Sequence, residues 1–170
     1  MSFIDWKDIF DDIFEAYPDK WSLNQMHRNN VSQLRKLQTK RTMERQAYAR
    51  FHCPKCSNSW TSAKAQVIFY YPSANQRLGQ ITSRFYGQQC KKCSRNGNYF
   101  VDPEYDTDEI KFILEKLYER IGWNYYGKKR PPKTTNTSDK EIDMKGPHEK
   151  SLCEACQLGC CNRALTMKKR

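Results

Sequence analysis

The eight cysteines of this chain stand at Cys53, Cys56, Cys90, Cys93, Cys153, Cys156, Cys160 and Cys161, so that C-x-x-C pairs punctuate the sequence. A C-x-x-C turn offers two thiolates from one tight loop, and two such turns complete the tetrahedron that zinc requires. The spacing matters because only 38% of the 170 residues are hydrophobic, a thin supply of core for that length. Metal bound between distant turns can replace part of the missing apolar burial. The N-terminus runs Ser2, Phe3, Ile4, Asp5, Trp6, Lys7, Asp8, without the basic start and apolar block of a secretory signal. The compartment expected is therefore the cytosol, where grouped thiols serve metal rather than disulfides.

Residues 1–20 read as an N-terminal amphipathic helix. Ser2 can cap it, Trp6, Ile9, Phe10, Ile13, Phe14 and Tyr17 recur at helical spacing, and Pro18 stops it. Packing on the rest of the domain accounts for that stripe better than a partner groove does. Residues 21–45 read as a basic, solvated connector with a weak helical period at Val31, Leu34 and Leu37. A core segment, 46–127, follows. In it Ala63, Ala65, Val67 and Phe69 alternate with Lys64, Gln66, Ile68 and Tyr70, and a second run spans Gln80 to Tyr86, which predicts a β-hairpin. One C-x-x-C pair precedes the first strand and another follows the second. The same segment ends in a helix over 106–121, with Asp106 and Glu109 as a capping-box pair, a stripe from Ile110 to Ile121, and Gly122 as its stop. Residues 128–147 read as a polar linker, 148–161 as a third cysteine segment, and 162–170 as a basic tail. The fold class expected is α+β: a small zinc-stabilised antiparallel β-hairpin or sheet domain with flanking amphipathic helices.

Antiparallel pairing of the hairpin would bring Cys53 and Cys56 beside Cys90 and Cys93, a natural four-thiolate site. In the third segment Cys153 and Cys156 are the secure pair, with His148 and either Cys160 or Cys161 completing a second site. Two zinc ions are expected. Catalytic zinc would need an open position with a placed acid or base, and neither H-E-x-x-H nor H-x-E with P-C-x-x-C occurs; a phosphate-cradling glycine loop and a G-x-S-x-G elbow are also missing. The expectation is a non-enzyme whose metal holds shape.

The formal charge of +11 suits an acidic partner. RNA is one such partner, because basic and aromatic residues interleave at Arg45, Tyr48, Arg50 and again at Arg84, Phe85, Tyr86; Arg45, Arg50, Arg84 and Tyr86 are the candidate contacts.

Three stretches carry more than spacing: Arg50 to Trp60 (R-F-H-C-P-K-C-S-N-S-W), Phe85 to Cys93 (F-Y-G-Q-Q-C-K-K-C) and Cys153 to Gly159 (C-E-A-C-Q-L-G). Together they resemble the 3CxxC-type zinc-finger family, in its receptor-transporting protein branch. The resemblance implies His148 and Cys161 as the remaining ligands of the second site, with Cys160 as the substitute. It implies an accessory, chaperone-like adaptor that promotes cell-surface trafficking of G-protein-coupled receptors of the odorant and taste type, at or near the cytosolic face of the endoplasmic reticulum or plasma membrane. It also implies RNA binding and antiviral action, described for interferon-linked members. Family members are held by a C-terminal hydrophobic segment, whereas this sequence ends Lys168, Lys169, Arg170.

Overall fold

The computed structural model describes residues 3–28, 30, 32, 36–37, 40–73, 79–93, 99–132 and 148–159. Ser2, Val31, Leu34, Cys160, Cys161 and the basic tail lie outside them. Helix α1 (Phe3–Phe14) leads into strands β1 (Ser22–Gln25), β2 (Arg41–His52), β3 (Ser59–Tyr71) and β4 (Gln80–Phe85). These form a four-stranded sheet in the order β1-β4-β3-β2. A second ladder pairs β5 (Gln88–Gln89) with β6 (Phe100–Val101). Helix α2 (Thr107–Tyr125) follows, and then a 3-10 turn over Lys150–Leu152 and the short helix α3 (Glu154–Gln157).

The architecture is α+β, with two departures from expectation. The sheet is mixed, because β1 runs parallel to β4 while the other pairs are antiparallel. The basic connector, moreover, contains strand at both ends, β1 and the start of β2. Met43, Ala49 and Phe51 do alternate into the core of β2. Their period of two is masked in the sequence by Arg45 at one inward position and by alanines of little hydrophobic weight at Ala47 and Ala49. In β1 only Leu23 is buried, too little for any pattern.

Both faces of the sheet are covered, which explains why Val67 to Tyr71 is apolar on consecutive positions rather than alternating. The larger core lies beneath the two main helices, where Trp6, Phe10 and Phe14 of α1 and Ile110, Ile113, Leu114, Leu117 and Ile121 of α2 meet Val67 and Phe69. Trp6 sits amid the rings of Phe69, Phe85 and Tyr105, at centroid distances of 6.2, 5.0 and 5.4 Å. Burial of each such ring contributes roughly 1.5–3 kcal/mol. The opposite face carries a smaller cluster of Met26, Leu37, Ile68, Tyr70, Tyr86, Cys153 and Ala155.

Asp106 occupies the N-cap of α2, but no side-chain capping bond forms; its carboxylate is held instead by Arg50 at 2.7 Å. Nor does Gly122 stop the helix, which continues to Tyr125. The glycine answers a packing need. A Cβ there would lie 2.8 Å from the Tyr17 hydroxyl and 2.7 Å from Lys128 Cδ. Among the described residues no helix is long and apolar enough to cross a membrane.

Candidate metal centres

The first C-x-x-C turn is the turn of the long β2–β3 hairpin. Cys53 directly follows β2, and its N–H donates to the Asn58 carbonyl at 2.9 Å while Ser57 N–H donates back to the Cys53 carbonyl at 2.9 Å. Closing so tight a loop puts Ser57 at φ 57°, the left-handed region that L residues enter at a cost. Phe51 and Trp60, paired across the hairpin, stack at 5.3 Å just behind the turn and set its angle. The second turn follows β5, where Cys93 N–H donates to the Cys90 carbonyl at 3.0 Å.

These turns bring Cys53, Cys56, Cys90 and Cys93 together, all four sulfurs lying within 4.8 Å of one another. A regular tetrahedron with zinc–sulfur bonds of about 2.3 Å has sulfurs about 3.8 Å apart. The Cys56 and Cys90 sulfurs are 3.6 Å apart and those of Cys53 and Cys93 are 4.0 Å apart, so the donor set fits a zinc ion. Asn58 adds an amide donor to Cys90 Sγ at 3.7 Å, the kind of outer contact that orients a ligand. Four crowded thiols cannot all ionise without a cation. Burial pushes Cys90 up, but the Cys93 N–H, the Cys56 thiol, the Lys92 N–H and the Cys53 thiol outweigh it and bring it to about 7. Cys93 is pushed up to about 12, chiefly by its contact with Cys56 and by burial. A divalent ion removes that conflict by stabilising every thiolate at once.

At the second centre His148, Cys153 and Cys156 have their donor atoms within 4.8 Å of one another, with His148 Nε2 3.2 Å from Cys156 Sγ. The nitrogen–sulfur edge of a zinc tetrahedron is about 3.5 Å. These three fit zinc as well, and the fourth position expected from Cys161 or Cys160 falls outside the described residues.

Sequence reasoning missed what attaches this segment to the sheet. Glu154, between the two cysteines, is buried at 3% exposure. Its carboxylate accepts the Gly87 N–H at 2.7 Å, Arg28 Nε at 3.0 Å and Arg84 Nη2 at 3.3 Å. Its own N–H donates to the Gly87 carbonyl at 3.1 Å, and Cys153 bridges to Gln88. Gly87 is required at this crossing, since a Cβ there would meet Arg28 Nη2 at 2.6 Å and the Val101 carbonyl at 2.7 Å. In the sequence Glu154 is one acid among many and Arg28 one base in a basic run; the only hint is an acid enclosed by two ligands.

Three of the residues considered for RNA, Arg84, Tyr86 and Arg50, are engaged within the fold. Arg84 is buried at 6% exposure, paired with Glu154 and set over the buried Tyr86 ring at 4.9 Å, so neither side chain is open to a base or phosphate. Arg50 is exposed but already holds Asp106. Arg45 is half-buried on β2.

A family model described as a zinc-binding domain, of the 3CxxC zinc-ribbon type, matches residues 46–159. Mouse receptor-transporting protein 4 is 35% identical over 92% of this chain and 63% of its own length. Human receptor-transporting protein 4 is 32% identical over 72% of this chain and 49% of its own, and mouse receptor-transporting protein 3 is 34% identical over 69% and 25%. The chain thus spans less than two thirds of the length of these relatives. No solved structure matches it significantly.

Proposed function

The chain belongs to the 3CxxC zinc-binding family, and on that premise we propose that it is an accessory protein for receptor transport rather than an enzyme. The observation that carries this reading is similarity over 92% of the chain to a protein named for transporting receptors. The clients proposed are G-protein-coupled receptors of the odorant and taste type, met at the cytosolic side of the membranes through which they are exported.

Zinc, when bound, supplies a crosslink and no reaction step. The chain's own residues do the rest. Cys53 and Cys56 close the β2–β3 hairpin, Cys90 and Cys93 fasten the chain leaving β5 to it, and Glu154 clamps the third cysteine segment across Gly87. A surface pinned in this way offers a client fixed geometry without paying ordering entropy at each encounter. The test is surface labelling of an epitope-tagged receptor co-expressed with the chain. Surface receptor should rise with the intact chain and return to baseline with Cys53→Ser, total receptor staying constant. An unchanged surface level across several odorant and taste receptors overturns the reading.

A further inference from the structure

The two metal centres meet at β5. Gln88 pairs with Val101 of β6 and also bridges to Cys153, a ligand of the second centre, which lies along β5 as a third row of that small ladder. Only Gln89 separates Gln88 from Cys90, a ligand of the first centre. The Gln88 side chain turns to the first hairpin: its Oε1 accepts the Trp60 Nε1–H at 3.0 Å and its Nε2 donates to Ser62 Oγ at 3.0 Å. Trp60 is the ring stacked on Phe51 behind the Cys53 turn. One residue therefore joins the surroundings of both centres, by its side chain at the first and by its main chain at the second.

The support of β5 also runs back to the second centre by two routes. Gly87, directly before β5, exchanges two hydrogen bonds with Glu154, whose carboxylate accepts the Gly87 N–H at 2.7 Å and whose N–H donates to the Gly87 carbonyl at 3.1 Å. Strand β6 leads to the same carboxylate, because Arg28 donates to the Phe100 carbonyl at 3.2 Å, holds Asp102 and reaches Glu154 at 3.0 Å. A ladder this short does not hold itself, and among the described residues no further strand joins it. Lys91, inside the second C-x-x-C turn, adds an ion pair with Glu149 at 2.7 Å, exposed and so of small weight. The stretch 87–91, which delivers Cys90 to the first centre, is thus the stretch on which residues 149–154 are seated.

We infer that the two centres are coupled through β5: metal held by His148, Cys153 and Cys156 tightens the hold of Cys90 and Cys93 on the metal of the first centre, and the converse. The cause is mechanical. Metal at the second centre fixes Cys153 and Glu154, these fix Gln88 and Gly87, and the turn carrying Cys90 and Cys93 then opens less often. Coupling of this kind is reciprocal, since each ion stabilises the conformation that the other needs. Cys53 and Cys56, carried on the β2–β3 hairpin, are the fixed side of the first centre, and Cys90 and Cys93 the side that answers to the docked segment. The inference goes beyond the receptor reading and does not rest on it, because it concerns how the chain keeps its metal whatever its client.

The test places zinc-loaded full-length chain in an excess of an enriched zinc isotope, which keeps both centres filled, and follows the exchange by native mass spectrometry. Wild type should exchange in two phases, the slower one belonging to the first centre. Cys153→Ser should hold one ion and exchange it about tenfold faster than that slow phase. Glu154→Ala keeps every ligand but releases Gly87; it should hold two ions and exchange the slower one as fast as Cys153→Ser does. The double variant should be no faster than either single one, because both break the same connection. Ile121→Val is the control for general weakening. It lies in the core one helical turn before Asn124, which bonds Arg41 at the far end of β2 from the Cys53 turn; it should lower the melting temperature and leave the slow phase unchanged. If Cys153→Ser or Glu154→Ala does not fold, His148→Ala and Glu154→Gln decide in their place. A slow phase indifferent to loss of the second centre, additive effects in the double variant, or an equal acceleration in Ile121→Val overturns the inference.

Discussion

The two candidate metal centres use the same ligand chemistry and are held in different ways. The first is closed by chain connectivity: Cys53 and Cys56 form a hairpin turn, Cys90 and Cys93 directly follow β5, which is paired with β6, and Cys53 and Cys90 are packed in the main core. The second depends on docking. His148, Cys153 and Cys156 belong to a short segment of one 3-10 turn and one helical turn, attached through the Glu154 cluster, the Gln88 bridge and the smaller core. The first centre should therefore stand or fall with the whole fold, whereas the second can be lost while the sheet persists.

Metal removal from the first centre should have the largest effect. Cys90→Ser should unfold the chain, since structural zinc contributes on the order of 10 kcal/mol; circular dichroism together with metal analysis checks this. Cys153→Ser, in contrast, should leave the strand signal intact and lose about one equivalent of zinc. If it unfolds the sheet as Cys90→Ser does, the contrast between the centres fails.

Next in size is the clamp. Glu154→Ala leaves Arg84 buried without its carboxylate and should cost about 3–5 kcal/mol. Hydrogen exchange should show protection lost around residues 148–159 and near Gly87 while β2 and β3 keep theirs. Glu154→Gln, which retains the shape but not the charge, should fall between wild type and Glu154→Ala. A uniform loss of protection would mean that the sheet needs the clamp as much as the segment does.

Gly87→Ala tests the crossing itself. Its Cβ would press on the Val101 main chain, which is not free to move aside as a flexible side chain would be, and a loss of about 1–3 kcal/mol is expected in denaturant titration. The smallest effect belongs to the first turn, where Ser57→Gly relieves a left-handed backbone and should stabilise by about 1 kcal/mol. A destabilising result would show that the Ser57 side chain does more for the turn than its backbone costs.

Much of this was legible in the residues. The stripes of α1 and α2 announce themselves because large side chains recur at helical spacing, and the β3–β4 hairpin because apolar residues alternate between turn-forming stretches. The grouping of Cys53, Cys56, Cys90 and Cys93 follows from those two turns flanking that hairpin. Strand β2 was hidden, since Arg45 and small alanines occupy inward positions that any hydrophobic period needs to be large and apolar. A glycine near a helix end has two causes, a stop or a close contact, and at Gly122 only the Tyr17 hydroxyl beside it tells them apart. Arg84 and Tyr86 looked like a nucleic-acid surface for a related reason: an exposed base and a buried one are written identically.

The sequence by itself determined the ligand types, the local turns and the helical faces, because each depends on residues close together in the chain. Only the tertiary structure decided that Arg28, Arg84 and Gly87 converge on Glu154, and that β2 lies last among the described strands of its sheet. Those arrangements join residues far apart in sequence. Their energies come from excluding water around a buried carboxylate and from which strand lies last in the sheet, and neither is set by any short stretch of residues.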